Sequence, residues 1–227
     1  MLPPVRRPVW TAHPVSAEAP RPLSPAMVDS KWTPLDQHWR AGVPDPDFQP
    51  GWARVQWDAA GLHYDVIFMG SGAQNTACRL NERTWETGDV GEIFLQAGGR
   101  SSYLELHVTP ENQRLQLLWS EDGLARVRSK AAALAEFMIH EPDWVQSAAQ
   151  VHRIYWSFRA HIPASRLRLE RLHAGQLLYT AVCRYQRRGS DPSLSSTAPF
   201  PLPFFHQREH WHSLLLTDEH APQLPTP

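Results

Sequence analysis

The 227-residue chain has no surplus of charge: 22 Lys and Arg stand against 23 Asp and Glu. A chain without a basic excess lacks the electrostatic footprint of a nucleic-acid or anionic-membrane binder, so neither partner is expected. It has only two cysteines, Cys78 and Cys183. Both are read as small buried hydrophobes, and whether they pair stays open. No window approaches the roughly 18 apolar residues of a membrane span. The first fifteen residues carry two arginines but no apolar h-region. The expectation is therefore a cytoplasmic protein with no signal peptide. Neither a Gly-rich phosphate loop nor a nucleophile elbow occurs, and no cofactor is expected.

What the chain does have is a core and an excess of two residue types. Hydrophobic residues make up 42%, enough for a folded domain. The length is ordinary for one β-sandwich with long loops. Trp occurs 10 times and Pro 21 times. Trp supplies rigid contact area at low entropic cost, and ten is more than a core of this size usually needs. The prolines gather near the ends, where helices tolerate them poorly. Residues 1–27 read as a Pro-rich extended arm, 28–217 as a single domain, and 218–227 as a loose tail.

Inside the domain, strand signals follow one another closely. Trp52 to Trp57 alternates, and after Asp58-Ala-Ala-Gly61 the stretch Leu62 to Met69 alternates again. The short Gly-containing break predicts a hairpin, with Leu62, Tyr64, Val66 and Phe68 on one face. Val90–Leu95, Ser102–Val108 and Arg114–Trp119 are three more strands between turns. Leu124, Val127, Ala131, Leu134, Phe137 and Met138 then keep a three-to-four spacing, so 124–139 reads as a short helix or irregular excursion. Strands resume at Val151–Ala160, Gln176–Tyr185 and Trp211–Thr217, with a polar, Pro-rich loop at 187–203. This is the spacing of an all-β fold: a two-sheet antiparallel sandwich of immunoglobulin or jelly-roll type.

The sharpest segment is Trp85-Glu-Thr-Gly-Asp89-Val-Gly-Glu92-Ile-Phe-Leu95. Alternation puts Ile93 and Leu95 on one face and Glu92 and Phe94 on the other. An indole beside carboxylates suits a sugar. The ring covers the C–H face of a pyranose, and the carboxylates accept from its hydroxyls. Burying ~100 Å² of apolar area is worth about 2.5 kcal/mol. Each bond to a charged acceptor adds roughly 1.5–3 kcal/mol before losses. The plainer alternative is that Trp85 packs on the core and Glu92 pairs with an Arg.

The segment resembles the Trp-Glu-x-Asp-x-x-Glu-x-Phe signature of the family 9 carbohydrate-binding modules and their family 9-like, DOMON-like relatives. Tyr103-Leu-Glu-Leu-His-Val-Thr-Pro110 is similar to the strand that follows it in that family. Val28-Asp-Ser-Lys-Trp32, Trp39, Gly61-Leu-His-Tyr64, the Cys-Arg-Tyr185 strand and Pro203-Phe-Phe-His206 to Trp211 fall in the family's order. The resemblance covers most of 28–217. It implies a sandwich that binds a saccharide, serves carbohydrate catabolism and is not itself catalytic. Trp85 would stack on the sugar, with Asp89, Glu92, Arg83 and Glu105 as polar partners. The family's second aromatic is a Trp before the last strand. Here that loop offers Phe204, Phe205 and His206, and there is one extra residue between Trp85 and Asp89. The family's members also carry calcium, for which no oxygen-rich loop of definite spacing occurs in this chain. Its relatives are usually secreted.

Other chemistries compete. His206-Gln-Arg-Glu-His210 fits H-x-x-E-H, a zinc-hydrolase pattern that needs a helix, and His212 follows it as a further metal ligand. Glu92 and Glu105 on neighbouring strands would serve a glycosidase if they stood about 5–10 Å apart across a scissile bond. Met69 and His107 are the residue types that hold haem. A sandwich kept only for protein contacts is the third reading.

Overall fold

The computed structural model describes residues 7–15, 21–187 and 191–218. The order is β1 (Val9–Pro14), β2 (Thr33–Leu35), β3 (Gly51–Asp58), β4 (Gly61–Met69), α1 (Thr84–Thr87), β5 (Val90–Ala97), β6 (Tyr103–Val108) and β7 (Arg114–Trp119). It continues with α2 (Gly123–Arg128), β8 (Gln146–Val151), β9 (Tyr155–Pro163), β10 (Leu177–Arg187), β11 (Pro192–Ser196) and β12 (His212–Leu216). No helix among the described residues is long and apolar enough to cross a membrane.

The strands form a sandwich. The first sheet runs β7-β6-β5-β10-β12, with β11 on the other half of β10's edge. The second runs β3-β4-β9-β8, with β2 on β3. Both are antiparallel except at β1. Val9–Ala12 pairs in parallel with β12, and His13–Pro14 pairs in parallel with β3, so one strand passes from one sheet to the other. Further along the same edges, backbone bonds between Asp36 and Ser196 join the sheets again. The seam covers edges that would otherwise offer unpaired backbone groups.

The stretch read as an arm thus contributes a strand. Trp10 and Ala12 alternate inward from β1 and are buried, although prolines flank the segment. The tail expected from Asp218 lies, beyond that residue, outside the described residues. Three further strands had no sequence signal, the shortest being β2. Gln146–Val151 is a polar edge strand without alternating apolar side chains. Pro192–Ser196 begins with a proline, which is tolerated at the first residue of an edge strand.

The main core lies between the sheets. Val55, Leu62, Tyr64, Val66, Phe68, Ile93, Leu95, Leu104, Leu106, Trp156, Phe158 and Val182 fill it. Close packing shows at Gly91, where a Cβ would meet Phe158 at 2.5 Å and Phe68 at 2.7 Å. Seven of the ten tryptophans are buried; Trp39, Trp52 and Trp85 are partly exposed. The cysteines are both free. Cys183 is buried as expected, but Cys78 is exposed, because its loop carries it outward, where Glu82 accepts from its backbone N–H at 2.8 Å and from its thiol at 3.9 Å.

The first sheet is covered on its other face too, more extensively than the second, which carries the small cluster of Leu23, Trp32 and Ile67 there. A second apolar cluster, with Phe94, Leu117, Trp119, Phe137, Ala181, Cys183, Phe200, Phe205 and Trp211, lies outside the first sheet. The excursion expected at 124–139 supplies part of that cover as α2 and a 3-10 turn at Leu134–Phe137. Phe137 stacks on Trp119 with ring centroids 4.8 Å apart, and Met138 bridges to Leu117. Trp10→Ala should cost about 3–5 kcal/mol, the usual loss for a buried Trp, because it empties the seam strand's anchor. Urea unfolding followed by tryptophan fluorescence reads this loss.

Candidate functional site

Between these outer covers the first sheet holds a cleft of about 450 Å³. Its floor comes from alternate residues of adjacent strands: Glu92 of β5, Glu105 and His107 of β6, Leu117 and Trp119 of β7, and Tyr185 of β10. Register puts Glu92 across from His107 on one side and from Cys183 on the other. Leu124, Val127, Arg128 and Leu134 form one wall, Phe204, Phe205 and His206 another, and Arg83 and Trp85 a third.

The turn carrying Trp85 is fixed from beneath. Asn75 donates its side-chain amide to the carbonyls of Thr84 (2.8 Å) and Asp89 (3.0 Å). Its carbonyl oxygen accepts from Thr87 Oγ1 at 2.7 Å. Gly88 permits the close approach, since a Cβ there would stand 2.3 Å from Gln74 O. Trp85 is half-buried, and its ring meets His107 edge-on at 5.6 Å. Arg187 donates to the Trp85 carbonyl at 3.0 Å.

Seven of the eight expected site residues therefore line one cleft, and Asp89 does not. Its carboxylate is buried and accepts from the backbone N–H of Gln74 at 3.2 Å, which ties the Trp85 turn to the preceding loop. The residues missed by sequence were His107, which sequence reads only as a haem-ligand type, and Leu117, Trp119, Tyr185, Leu124, Val127, Arg128 and Leu134. Trp119 and Tyr185 carried a usable signal, as aromatics in phase with Glu105 and Glu92 across the sheet. The wall residues carried none beyond helical spacing.

The carboxylates are almost dry. Glu92 and Glu105 are 3% and 4% exposed, and His107 is 1% exposed. His107 Nε2 stands 2.8 Å from Glu105 Oε1 and 3.4 Å from Glu92 Oε1. Its Nδ1 meets Thr84 Oγ1 at 2.8 Å. The Trp119 indole N–H donates to Glu105 Oε2 at 2.6 Å. His206 Nε2 lies 3.7 Å from the same oxygen, while its Nδ1 meets the Tyr103 hydroxyl at 2.8 Å. Both oxygens of Glu105 are thus engaged. Glu92 makes no hydrogen bond among the described residues, so its carboxyl keeps its capacity for a ligand.

These contacts divide the two acids. Burial, aided by Glu105 and opposed by His107, pushes Glu92 up to about 7. Burial also works upward on Glu105, but the nearby His206 and His107 and the bonds from His107 and Trp119 hold it below the usual carboxylate range. Burial alone would lower His107, yet the two acids raise it. The result favours the anion at Glu105 and the cation at His107, beside a Glu92 that titrates near neutrality.

The competing motifs separate. His206-Gln-Arg-Glu-His210 runs through a 3-10 turn, Arg208–His210, instead of a helix. His206 turns to the cleft, whereas His212 bonds Thr197 O and meets Trp10 edge-on. Met69 ends a strand of the second sheet and His107 lies on the outer face of the first, so they share no haem pocket. Among the described residues two clusters have metal-ligand geometry, Asp58-His63-His161 and Glu92-Glu105-His107. Neither is the all-oxygen set that calcium demands, so these clusters do not fit the calcium implied by the resemblance.

Comparison with known proteins bears on the fold. The chain matches no family model and no curated protein. It is similar to a solved structure from Bacteroides uniformis, provisionally assigned as a carbohydrate-binding protein. The TM-score is 0.68 at 15% identity, over 92% of this chain and 99% of that one. It is also similar to a family 9 carbohydrate-binding module from Caldicellulosiruptor kristjanssonii in complex with cellotriose, with TM-score 0.58, 11% identity and 98% and 100% coverage. A glucose complex of a family 9 module from the same organism gives TM-score 0.55 at 10% identity, covering 95% and 100%. The fold is that of the family 9 carbohydrate-binding modules.

Glu92 makes the fold sensitive to pH in a definite direction. Its folded pKa lies above the ordinary value of 4.5, so its stabilising contribution is present below pH 4.5 and is lost as pH rises through about 7. Glu92→Gln should therefore raise Tm relative to wild type at pH 8 by about 2–4 °C for each kcal/mol recovered, with a smaller difference at pH 5. Thermal melts at the two pH values test this, and a lower Tm for the variant at pH 8 contradicts it.

Proposed function

We propose that the protein binds a saccharide in the cleft over β5 and β6 and does so without catalysing a reaction. The observation that carries this reading is a half-exposed indole, Trp85, at the mouth of a cleft whose floor holds a carboxyl, Glu92, that has only the 3.4 Å approach of His107 among the described residues. The volume of about 450 Å³ falls within the range of small-molecule sites. The lining also has the character that sugars require. Trp85, Tyr185 and Phe204 are half-buried aromatics with surface to offer a pyranose. Phe205 is buried, and packs on Phe200, Phe94 and Tyr185 as support.

Glu92 accepts from sugar hydroxyls when ionised and can donate to one when protonated, a dual role that its raised pKa opens near neutral pH. Glu105, His107 and Trp119 hold the floor rigid, which lowers the ordering cost of binding. Arg83 and Arg128 stand at the rim, where Arg128 lies 4.2 Å over the ring of Phe204. The solved neighbours of the same fold that hold glucose and cellotriose support this ligand class. A non-catalytic role fits the shared imidazole: His107 bridges the two acids, so they do not flank an open gap for a scissile bond.

The test is a titration of intrinsic fluorescence with glucose, cellotriose and a panel of other mono- and oligosaccharides. Wild type should show a saturable change with Kd between millimolar and micromolar. Trp85→Ala should remove about 2.5 kcal/mol of stacking, which is more than tenfold in Kd. A folded wild type that answers to no sugar would sink the reading in favour of a protein-contact scaffold.

A further inference from the structure

The outer face of the second sheet carries a side-chain cluster unrelated to the cleft. Asp58 ends β3, His63 lies in β4 and His161 in β9, so three adjacent strands each bring one residue. Register sets His63 directly opposite His161. Their rings stack at 4.5 Å with 19° between planes. Asp58 Oδ2 lies 2.8 Å from His63 Nε2. The donor atoms of the three residues fall within 4.8 Å of one another.

One detail points to a ligand. Among the described residues, His161 Nε2 is buried without a hydrogen-bond partner, a costly state for an imidazole nitrogen. Gly61 lets that ring pack directly on the strand, since a Cβ there would stand 2.4 Å from Ile162 O and 2.7 Å from the nitrogen. Asp58 is anchored at the same turn, because its Oδ1 accepts from the N–H groups of Ala60 (2.7 Å) and Gly61 (3.0 Å). Those bonds fix the carboxylate while leaving Oδ2 toward the histidines.

We propose that Asp58, His63 and His161 bind one divalent transition-metal ion of the zinc class where their donor atoms converge on the outer face of the second sheet. Two imidazoles and one carboxylate select zinc, iron or nickel chemistry over calcium or magnesium, which prefer oxygen donors. Neighbouring strands of one sheet hold the ligands more rigidly than loops would. Three protein ligands leave a coordination position open. Both histidines also line a groove of about 590 Å³ with Arg54, Gln56, Asp65 and Arg159, so that position faces solvent or a ligand. Asp65 accepts from Arg54 and Arg159, which keeps both guanidinium groups tethered along the groove.

The experiment uses the full chain, stripped with chelator, dialysed and titrated with Zn²⁺ by calorimetry. Co²⁺ follows as a spectroscopic probe. Wild type should take up one equivalent of Zn²⁺, raise its Tm, and give a Co²⁺ visible spectrum of nitrogen and oxygen ligation. Loss of even an outer partner costs a metal site about 10–100-fold, so His161→Gln and His63→Gln should each weaken binding by at least about tenfold. Asp58→Asn keeps the Oδ1 acceptor that holds the turn, and it carries the same expectation if a histidine variant fails to fold. Two results overturn the proposal. One is a folded wild type that takes up no Zn²⁺. The other is a double His63→Gln/His161→Gln variant that keeps wild-type stoichiometry and affinity, which would place the ion at His107 with Glu92 and Glu105 or at another histidine.

Discussion

Everything at the cleft follows from one constraint: the first sheet is buried on both faces. All eight residues of β5 and all six of β6 are buried. A strand in that position cannot send its polar side chains to water, so each must find a partner or shift its protonation state. Glu105 finds two donors, His107 and the Trp119 indole. Glu92 finds only a longer approach to His107 and answers by holding its proton to about pH 7. The asymmetry between two acids on adjacent strands is therefore a consequence of cover. The loops that impose it are the excursion at 123–139 and the Phe200–Trp211 loop, which are also the walls of the cleft.

Legibility in the sequence tracks how locally each feature is determined. The Gly51–Met69 hairpin, β5, β6, β7 and β10 alternate strongly, and pattern alone places them and their inner faces. The face assignment of Glu92 against Ile93 needed nothing beyond period two. β9 and β12 are legible too, but β1, β2, β8 and β11 depend on their pairing partners. β1 is six residues among prolines, and its strand character comes from lying between β12 and β3. β8 and β11 are edge strands with polar or small residues, held by backbone pairing that leaves no mark on composition.

The same distinction applies within the site. The residues around Trp85 were legible because motif and strand lie together in sequence. Asp89 looked like its neighbours in chemistry, yet its carboxylate is turned to a backbone N–H at Gln74. Only the path of the 70–84 loop decides that, through Asn75. Phe205 and Phe204 are adjacent, and the loop buries one and half-exposes the other. No spacing rule distinguishes them, because the loop's shape is set by bonds such as Trp211 Nε1 to Phe205 O and Gln207 to Phe204 O.

The two sheets apply one geometric rule to opposite ends. Cross-strand register makes a His–carboxylate cluster on each outer face: Glu92, His107 and Glu105 on the first, Asp58, His63 and His161 on the second. Cover then decides what each can be. Under the aromatic walls the first cluster is dry, its imidazole is bonded on both nitrogens, and its rigidity suits directional hydrogen bonds to a neutral polyol. On the second sheet the inward residues of β3 are buried while the outward ones are only half so, and the cluster reaches solvent with a ring nitrogen unpaired. A cation can reach that edge of the cluster through the groove that both histidines line. Two faces of one sandwich, built by the same alternation, thus present different chemistry because they are covered differently: the excursion at 123–139 and the Phe200–Trp211 loop wall in the first cluster, whereas Leu23 and Trp32 cover the second sheet at Ile67.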